Sequence, residues 1–440
     1  MNIIKEMTLK SNKKIKINFE GGNLSTDGGL ILLNEFIKKM GIDKIIKKNF
    51  KTTDHAQRWH TDVDNLKQIK LQIFGAYFQD DHADALTHDP VFTTIMEKDR
   101  LASQPTLSRF WNRMDEETLA QFACITREIR KLAYAITKPE LVLLDLDSTL
   151  LDTYGKQEGE GFNYHYQRHG YHPLVCYDGM TGELLKIELR KGTAYTSKGV
   201  ADFLKPLIDE FETDHPDLPL FLRGDSGFAT PDLYTLCEEH DITYAIRLKS
   251  NTALCKCASD IKDGLISIIQ KNMQDYAVCH GEFEYQAGSW KKPRRVVCKV
   301  EKPAGEMSYT HTFIVTNLQA PPKCVVRYYC KRGNMENFIK ESKNDFNFAS
   351  VGSKTLLVNA NRLQVHALCY NIFLWFKLLV LPESMRKQQA NTLRLALLKI
   401  AVKVVKTARS IWYKLCSSFP NKHIFFAVLN NIESLCVQME

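Results

Sequence analysis

A chain of 440 residues with 44% hydrophobic and 25% charged side chains has room for a large core and two or three domains, and its composition excludes wholesale disorder. The formal charge of +8 suits a nucleic-acid partner without demanding one. The cysteines are scattered with no paired CxxC spacing, and the opening MNIIKEMTLK has no apolar signal core, so a reducing cytoplasmic setting is expected rather than a disulfide scaffold.

In chain order, STDGGLILLNEFIKKM predicts a helix opened by a Ser/Thr/Asp capping cluster. DNLKQIKLQIFGAYFQ and DEETLAQFACITREIRKLAYAI are amphipathic helices. Between them Pro105 and Thr106 open a short helix carrying Ser108, Arg109, Asn112 and Arg113, which suits a DNA contact and a packed connector equally. Residues 1–138 are therefore expected to be a mainly helical region. From residue 139 the pattern changes. LVLLDLD is a continuous apolar run ending in acids, as a buried central strand would be. PLVCYDGMTGELLKIEL gives two strands around a turn, SKGVADFLKPLIDEF a helix, LPLFLRGDSGF a strand, TPDLYTLCEEHD a helix and ITYAIRLK a strand. This first α/β segment covers 139–250. Residues 251–325 have β character, as in PRRVVCKV and YTHTFIVTNL. A helix over 326–355 follows. Residues 356–440 are expected to be helical and basic, including NTLRLALLKIAVKVVKTARSIWYKL with Lys399, Lys403, Lys406 and Arg409. NIFLWFKLLVLP is short and holds Lys377, which favours a buried helix over a membrane span.

Two acids close apolar strands, Asp147 in LLDLDST and Asp225 in FLRGDSGF. If the first and fourth strands are neighbours, these carboxylates face one another at the carboxyl edge of the sheet, where open α/β sheets bind ligands. Asp145 stands close by, and only the D-x-T spacing selects Asp147. The later stretch RYYCKRGNMENFIKESKNDF spaces Tyr329, Arg332, Glu336 and Lys343 as Y-x₂-R-x₃-E-x₆-K. At about 100° per residue on an ideal helix, they fall near 0°, ~300°, ~340° and ~320°, with Lys340 beside them at about 20°. Plain charge pairing on an exposed helix would give a similar face. A third carboxylate at Glu336 would instead complete a cage for two Mg²⁺ (or Mn²⁺) ions, hard cations that take oxygen ligands and serve phosphodiester chemistry. Arg332, Lys340 and Lys343 would then hold DNA phosphates, with Tyr329 against a phosphate or a displaced base.

That spacing, with the upstream DST and GDSGF aspartates, resembles the DDE transposases of bacterial insertion sequences. The likeness is to the members with a ribonuclease-H-like core and a β-rich insertion before the catalytic glutamate. It runs through LSTDGGLILL, FQDDHADALTHDP, LASQPTLSRF and LRKGTAYTSKGVADFL, and so over most of the chain. The resemblance implies an α/β (α+β) fold, a ribonuclease-H-like mixed sheet flanked by helices. It makes 1–138 a DNA-binding region, 139–250 and 326–355 the catalytic core, 251–325 the insertion and 356–440 a helical tail. It implies catalytic and metal-ligating roles for Asp147, Asp225 and Glu336, and DNA contacts at Tyr329, Arg332 and Lys343. Arg190 and Lys191 in the basic loop LRKGTAYTSKG and Arg109 in the N-terminal region are further DNA-contact candidates. The implied activity is cut-and-paste transposition by metal-dependent cleavage and strand transfer. The implied partners are double-stranded DNA with terminal inverted repeats and a second copy of the chain, in the bacterial cytoplasm on the nucleoid.

LVLLDLDSTLLD also fits a haloacid-dehalogenase-like phosphatase, with Asp145 as nucleophile and Asp147 as general acid. GDSGFA lacks the last acid of that family's metal pair, having Ala229 there, and the Tyr329–Lys343 pattern would have no role. Zinc at Cys255, Cys257, Cys279, His280 and Cys298, or at His165, His169 and His172, lacks the usual ligand spacing. For the three histidines DNA contact or structural hydrogen bonding is expected instead.

Overall fold

A computed structural model describes residues 6–54 and 56–437, so the first five residues of the opening segment lie outside the described residues. The chain divides into two units: Met1–Ile136 with Asp345–Ser350 and Leu368–Glu440, and Thr137–Asn344 with Val351–Ala367.

The second unit is built on one eight-stranded mixed sheet. In chain order its strands are β1 (Val142–Ser148), β2 (Leu174–Asp178), β3 (Leu184–Glu188), β4 (Leu220–Gly224), β5 (Thr243–Leu248), β6 (Ala277–Tyr285), β7 (Arg294–Lys302) and β8 (Thr310–Thr316), and in space they run β6-β7-β8-β5-β4-β1-β2-β3. β1, β2 and β3 are antiparallel, while β4 runs parallel to β1 and β5 parallel to β4. Strands one to five thus stand in the order 3-2-1-4-5 of a ribonuclease-H-like sheet. The strands and helices predicted for the first α/β segment are present in the predicted order, with helices Val200–Asp214 and Pro231–Glu239 in the two crossovers, but three short strands of a separate sheet that the sequence reading did not predict lie between β1 and β2. β1 has neighbours on both sides and is buried almost throughout, which is why it reads as an unbroken apolar run. The stretch 251–325 opens with two helices, Thr252–Cys257 and Ser259–Asn272, where β character was expected throughout. Its strands β6–β8 then extend the same sheet beyond β5.

The first unit is mainly helical. Thr61 and Asp64 form a capping box on Asp62–Phe74, Asp89 caps Pro90–Met96, and the short helix expected to open at Pro105 and Thr106 is Gln104–Trp111, ending before Asn112 and Arg113. Two expectations are corrected here. Helix Leu30–Lys39 has no side-chain cap. Asp27 of the supposed capping cluster is buried, accepting from Lys399 Nζ at 2.6 Å and the Tyr77 hydroxyl at 2.8 Å. The following glycines donate to the carbonyls of Ile400 and Leu398, and a Cβ on Gly29 would lie 1.9 Å from the Leu397 oxygen. The helix expected across residues 391–415 is likewise absent as such. After a short helical stretch to Leu398 the chain forms an antiparallel hairpin, Val402–Lys406 with Ile411–Leu415, and Leu24–Ser25 adds a third strand. Val402 and Val404 are buried and Lys403 is exposed, so in VKVVK the period of two overrides the helical spacing. Helix Leu356–Val380 is long and apolar enough to cross a membrane, but 83% of its apolar window is buried in the structure.

Candidate active site

The site forms at the carboxyl edge of β1 and β4. Their pairing aligns Leu220 with Val142 and Arg223 with Asp145, so two residues further on Asp225 comes level with Asp147. Adjacent strands are about 4.8 Å apart, which makes the two acids direct neighbours. Burial lifts the Asp147 carboxyl above its ordinary value. Arg332 and the Ser148 N–H offset part of this, and the charge of Asp225 adds to it. Asp225 caps the short turn Ser226–Phe228 and accepts the Gly227 N–H at 2.8 Å.

Beneath this rim lies an ion pair the sequence reading missed. Arg223 donates through Nε and Nη2 to the two oxygens of Asp145 at 2.7 and 2.5 Å, and through Nη1 to the Tyr328 carbonyl at 2.8 Å. Both side chains are essentially inaccessible, at 1% and 0%. Gly179 is needed here, because a Cβ would fall 2.3 Å from Asp145 Oδ2. A signal was available. When DLD and RGD are aligned on their last acids, Arg223 stands opposite Asp145, and a cation inside an apolar strand requires a partner.

Above the rim the chain is helical from Pro322 to Asp345 in three pieces: helix Pro322–Cys330, a 3₁₀ turn Lys331–Gly333 and helix Asn334–Asp345. The 3₁₀ turn rotates each residue by about 120° rather than 100°. Three such residues advance Glu336 and its successors by about 60° relative to Tyr329, so the signature does not keep one narrow stripe. Tyr329 is half-buried against the cluster of Ala245, Val297, Ile314, Val325 and Val326. Arg332 turns inward, 3.0 Å from Asp147 Oδ2, and donates to the Leu146 carbonyl at 2.9 Å. Lys343 donates to the Leu150 carbonyl at 2.7 Å and lies 3.4 Å from Thr149 Oγ1. Glu336 and Lys340 are exposed.

Asp147, Asp225 and Glu336 thus occur in one unit, but their carboxylates do not gather within 4.8 Å of one another. Among the described residues the group that does is Asp209, Glu212 and His240, largely exposed and internally paired through His240 Nδ1 and Glu212 at 2.7 Å. Two neighbouring carboxylates at a half-buried edge are a donor set that fits a hard divalent cation. Tyr166, also missed, donates its hydroxyl to the Ser148 carbonyl at 3.1 Å. Burial, with Asp147 and Asp225 close by, raises its pKa to about 12.

The remaining candidates are dispersed. Arg190 is buried, donating through Nε to the His172 carbonyl and through Nη1 to carbonyls of its own loop, whereas Lys191 is exposed. In the other unit Arg109 is exposed and, with Arg113, Arg58 and Trp59, lines an open cleft of about 550 Å³. His169 pairs with Glu160 at 3.0 Å, and His172 Nδ1 lies 2.7 Å from the Ala194 carbonyl.

A family model described as transposase DDE domain group 1 matches residues 7–437. No curated protein matches the chain. Among solved structures it is similar to the piggyBac transposase synaptic complex with hairpin DNA at 13% identity and a TM-score of 0.41, covering 94% of this chain and 86% of that one. It is also similar to the Mos1 mariner paired-end complex with Mn at 13% identity and a TM-score of 0.18, covering 44% and 61%. Likenesses at these TM-scores add no weight to the family match.

Proposed function

The chain belongs to the group 1 DDE transposases and is a DNA transposase, and from that premise we propose that it moves a bacterial insertion sequence by binding its terminal inverted repeats, cutting there and joining the ends to target DNA. The observation that carries this is the level placement of Asp147 and Asp225 on adjacent parallel strands. These two side chains and Glu336 would hold Mg²⁺ or Mn²⁺ ions, which when bound polarise a phosphodiester and stabilise charge on its attacking and leaving oxygens.

The protein's own contribution is placement. The Arg223–Asp145 pair fixes β1 against β4 beneath the two acids. Arg332 orients Asp147 and keeps positive charge beside the position a phosphate would take. Lys191, Lys340 and Lys343 beside the site, and Arg109 in the other unit, supply cations for the DNA backbone. Handling two element ends together calls for a second copy of the chain, and the cytoplasm is the setting in which the DNA is met.

The phosphatase alternative would need Asp145 as a free nucleophile, yet both its oxygens are engaged by Arg223 and it is shut off from solvent. Cleavage of a DNA fragment carrying the element's ends is the test. Asp225→Ala and Glu336→Ala should each reduce Mg²⁺-dependent cutting to background. An active Glu336→Ala protein that hydrolyses small phosphate esters would overturn the proposal.

A further inference from the structure

Between β1 and β2 the chain makes an excursion that forms a separate three-stranded sheet, with Arg168–Tyr171 between Leu151–Asp152 and Gly161–Asn163. The loop after β3 is fastened to it. Asn163 Nδ2 donates to the Gly192 carbonyl at 3.1 Å, and the Gly192 N–H donates to the Gly159 carbonyl at 3.0 Å. Both segments pack against residues next to the carboxylates. Tyr166 bonds the Ser148 carbonyl next to Asp147, Ser148 Oγ lies 3.4 Å from Thr196 Oγ1, and a Cβ on Gly227 would meet Thr196 Cγ2 at 2.9 Å.

These two segments expose aromatic rings. Tyr154, Tyr164 and Tyr195 are 90%, 82% and 66% accessible, and of the exposed large aromatics among this unit's described residues only Tyr276 lies elsewhere. Singly exposed rings need no explanation, but a concentration beside a catalytic edge does. The rings are interleaved with cations. Lys191 and Lys198 are exposed and form no ion pair with a carboxylate among the described residues. The loop carrying Tyr195 is also fixed in advance, because buried Arg190 donates through Nη1 to the carbonyls of Tyr195, Thr196 and Lys198, the last at 2.8 Å. A loop ordered beforehand loses little entropy when a ligand arrives.

We propose that Tyr164 and Tyr195, with Lys191 and Lys198, form a platform for unpaired DNA bases at the end being cut. The rings stack on the bases and the lysines hold the adjoining phosphates. A closed duplex keeps its bases stacked within itself and would use only the lysines. A second protein copy would want a continuous apolar patch, whereas these rings are separated by polar and charged residues. The platform rests on assigning the neighbouring edge as the transposase active site.

The test compares full-length protein binding to a blunt duplex and to the same duplex with a single-stranded tail of about four nucleotides on either strand. Fluorescence anisotropy is read without divalent metal, and Mg²⁺-dependent nicking is measured in parallel. The wild type should prefer one tailed duplex by roughly 5- to 150-fold for each stacked base. Tyr164→Ala/Tyr195→Ala should lose that preference while keeping its affinity for the blunt duplex, and Tyr164→Phe/Tyr195→Phe should retain it. Equal binding of tailed and blunt duplexes by the wild type overturns the proposal. So does an alanine pair that keeps the preference, weakens both duplexes alike, or instead changes the oligomer on size exclusion. Tail preference without nicking would overturn the active-site assignment and leave the platform standing; nicking without preference does the reverse.

Discussion

Two arginine–aspartate pairs stand two residues apart on β1, and their surroundings give them opposite roles. Asp145 meets Arg223 through two short bonds where neither side chain reaches solvent. Asp147 meets Arg332 at 3.0 Å, with 20% and 16% of the side chains still accessible. The inner pair is closed, with both carboxylate oxygens used. Both oxygens of the outer carboxylate are engaged as well, Oδ1 by the Ser148 N–H and Oδ2 by Arg332, but this pair stays partly open to solvent and has an acidic neighbour in Asp225. The same two residue types make a closed brace at the floor and, under the proposed function, a metal-holding edge at the rim, and burial is the main difference between them.

The largest expected effect tests the floor. Arg223→Ala leaves a buried carboxylate without its partner and should lower the unfolding free energy by about 3–5 kcal/mol in urea. Asp145→Leu/Arg223→Met should recover most of that loss; a double variant as unstable as the single would break the assignment of a brace. Next comes the half-buried Lys399–Asp27 pair of the other unit. Lys399→Met should cost about 1–3 kcal/mol, because Asp27 keeps the Tyr77 hydroxyl as a partner. Arg332→Ala should cost about 1–3 kcal/mol of stability, less than Arg223→Ala because the pair is partly open to solvent, yet slow Mg²⁺-dependent cleavage at least about tenfold, the equivalent of roughly 1.4 kcal/mol in the barrier. A stability loss as large as that of Arg223→Ala would erase the contrast between floor and rim. The smallest effect concerns pH. Burial pushes Glu238 upward, but Arg294, Lys292 and Tyr244 outweigh it and hold its pKa below the ordinary value. Its stabilisation is therefore present above the unfolded glutamate value of about 4.3 and is lost as pH falls through the lower folded pKa. Glu238→Gln should flatten the acid limb of the melting temperature against pH.

Much of the sheet was legible because its strands are apolar runs with abrupt ends. LVLLDLD and LPLFLRGD show both where β1 and β4 stop and which acids they present. The strand Val402–Lys406 was hidden because LALLKIAV satisfies a helical spacing until the alternating valines take over, and because one of its two neighbours, Leu24–Ser25, lies at the far end of the chain. The 3₁₀ turn at Lys331–Gly333 was beyond ideal-helix arithmetic, which assumes a constant rotation. Asp27 resembled a cap because its neighbours are good caps; its true partner, Lys399, lies 372 residues away. Long-range pairs of this kind leave no local pattern. The Arg223–Asp145 pair is the exception, since strand alignment alone could have shown it.

Arg332 reaches the Leu146 carbonyl across 186 residues of chain. A polypeptide emerging from the ribosome folds its earlier parts first, so β1 and β4 can be in place well before the helix bearing Arg332 and Glu336 exists. The proposed metal site would therefore be completed by one of the later segments to be synthesised, and a prematurely terminated product would carry the sheet without the third carboxylate.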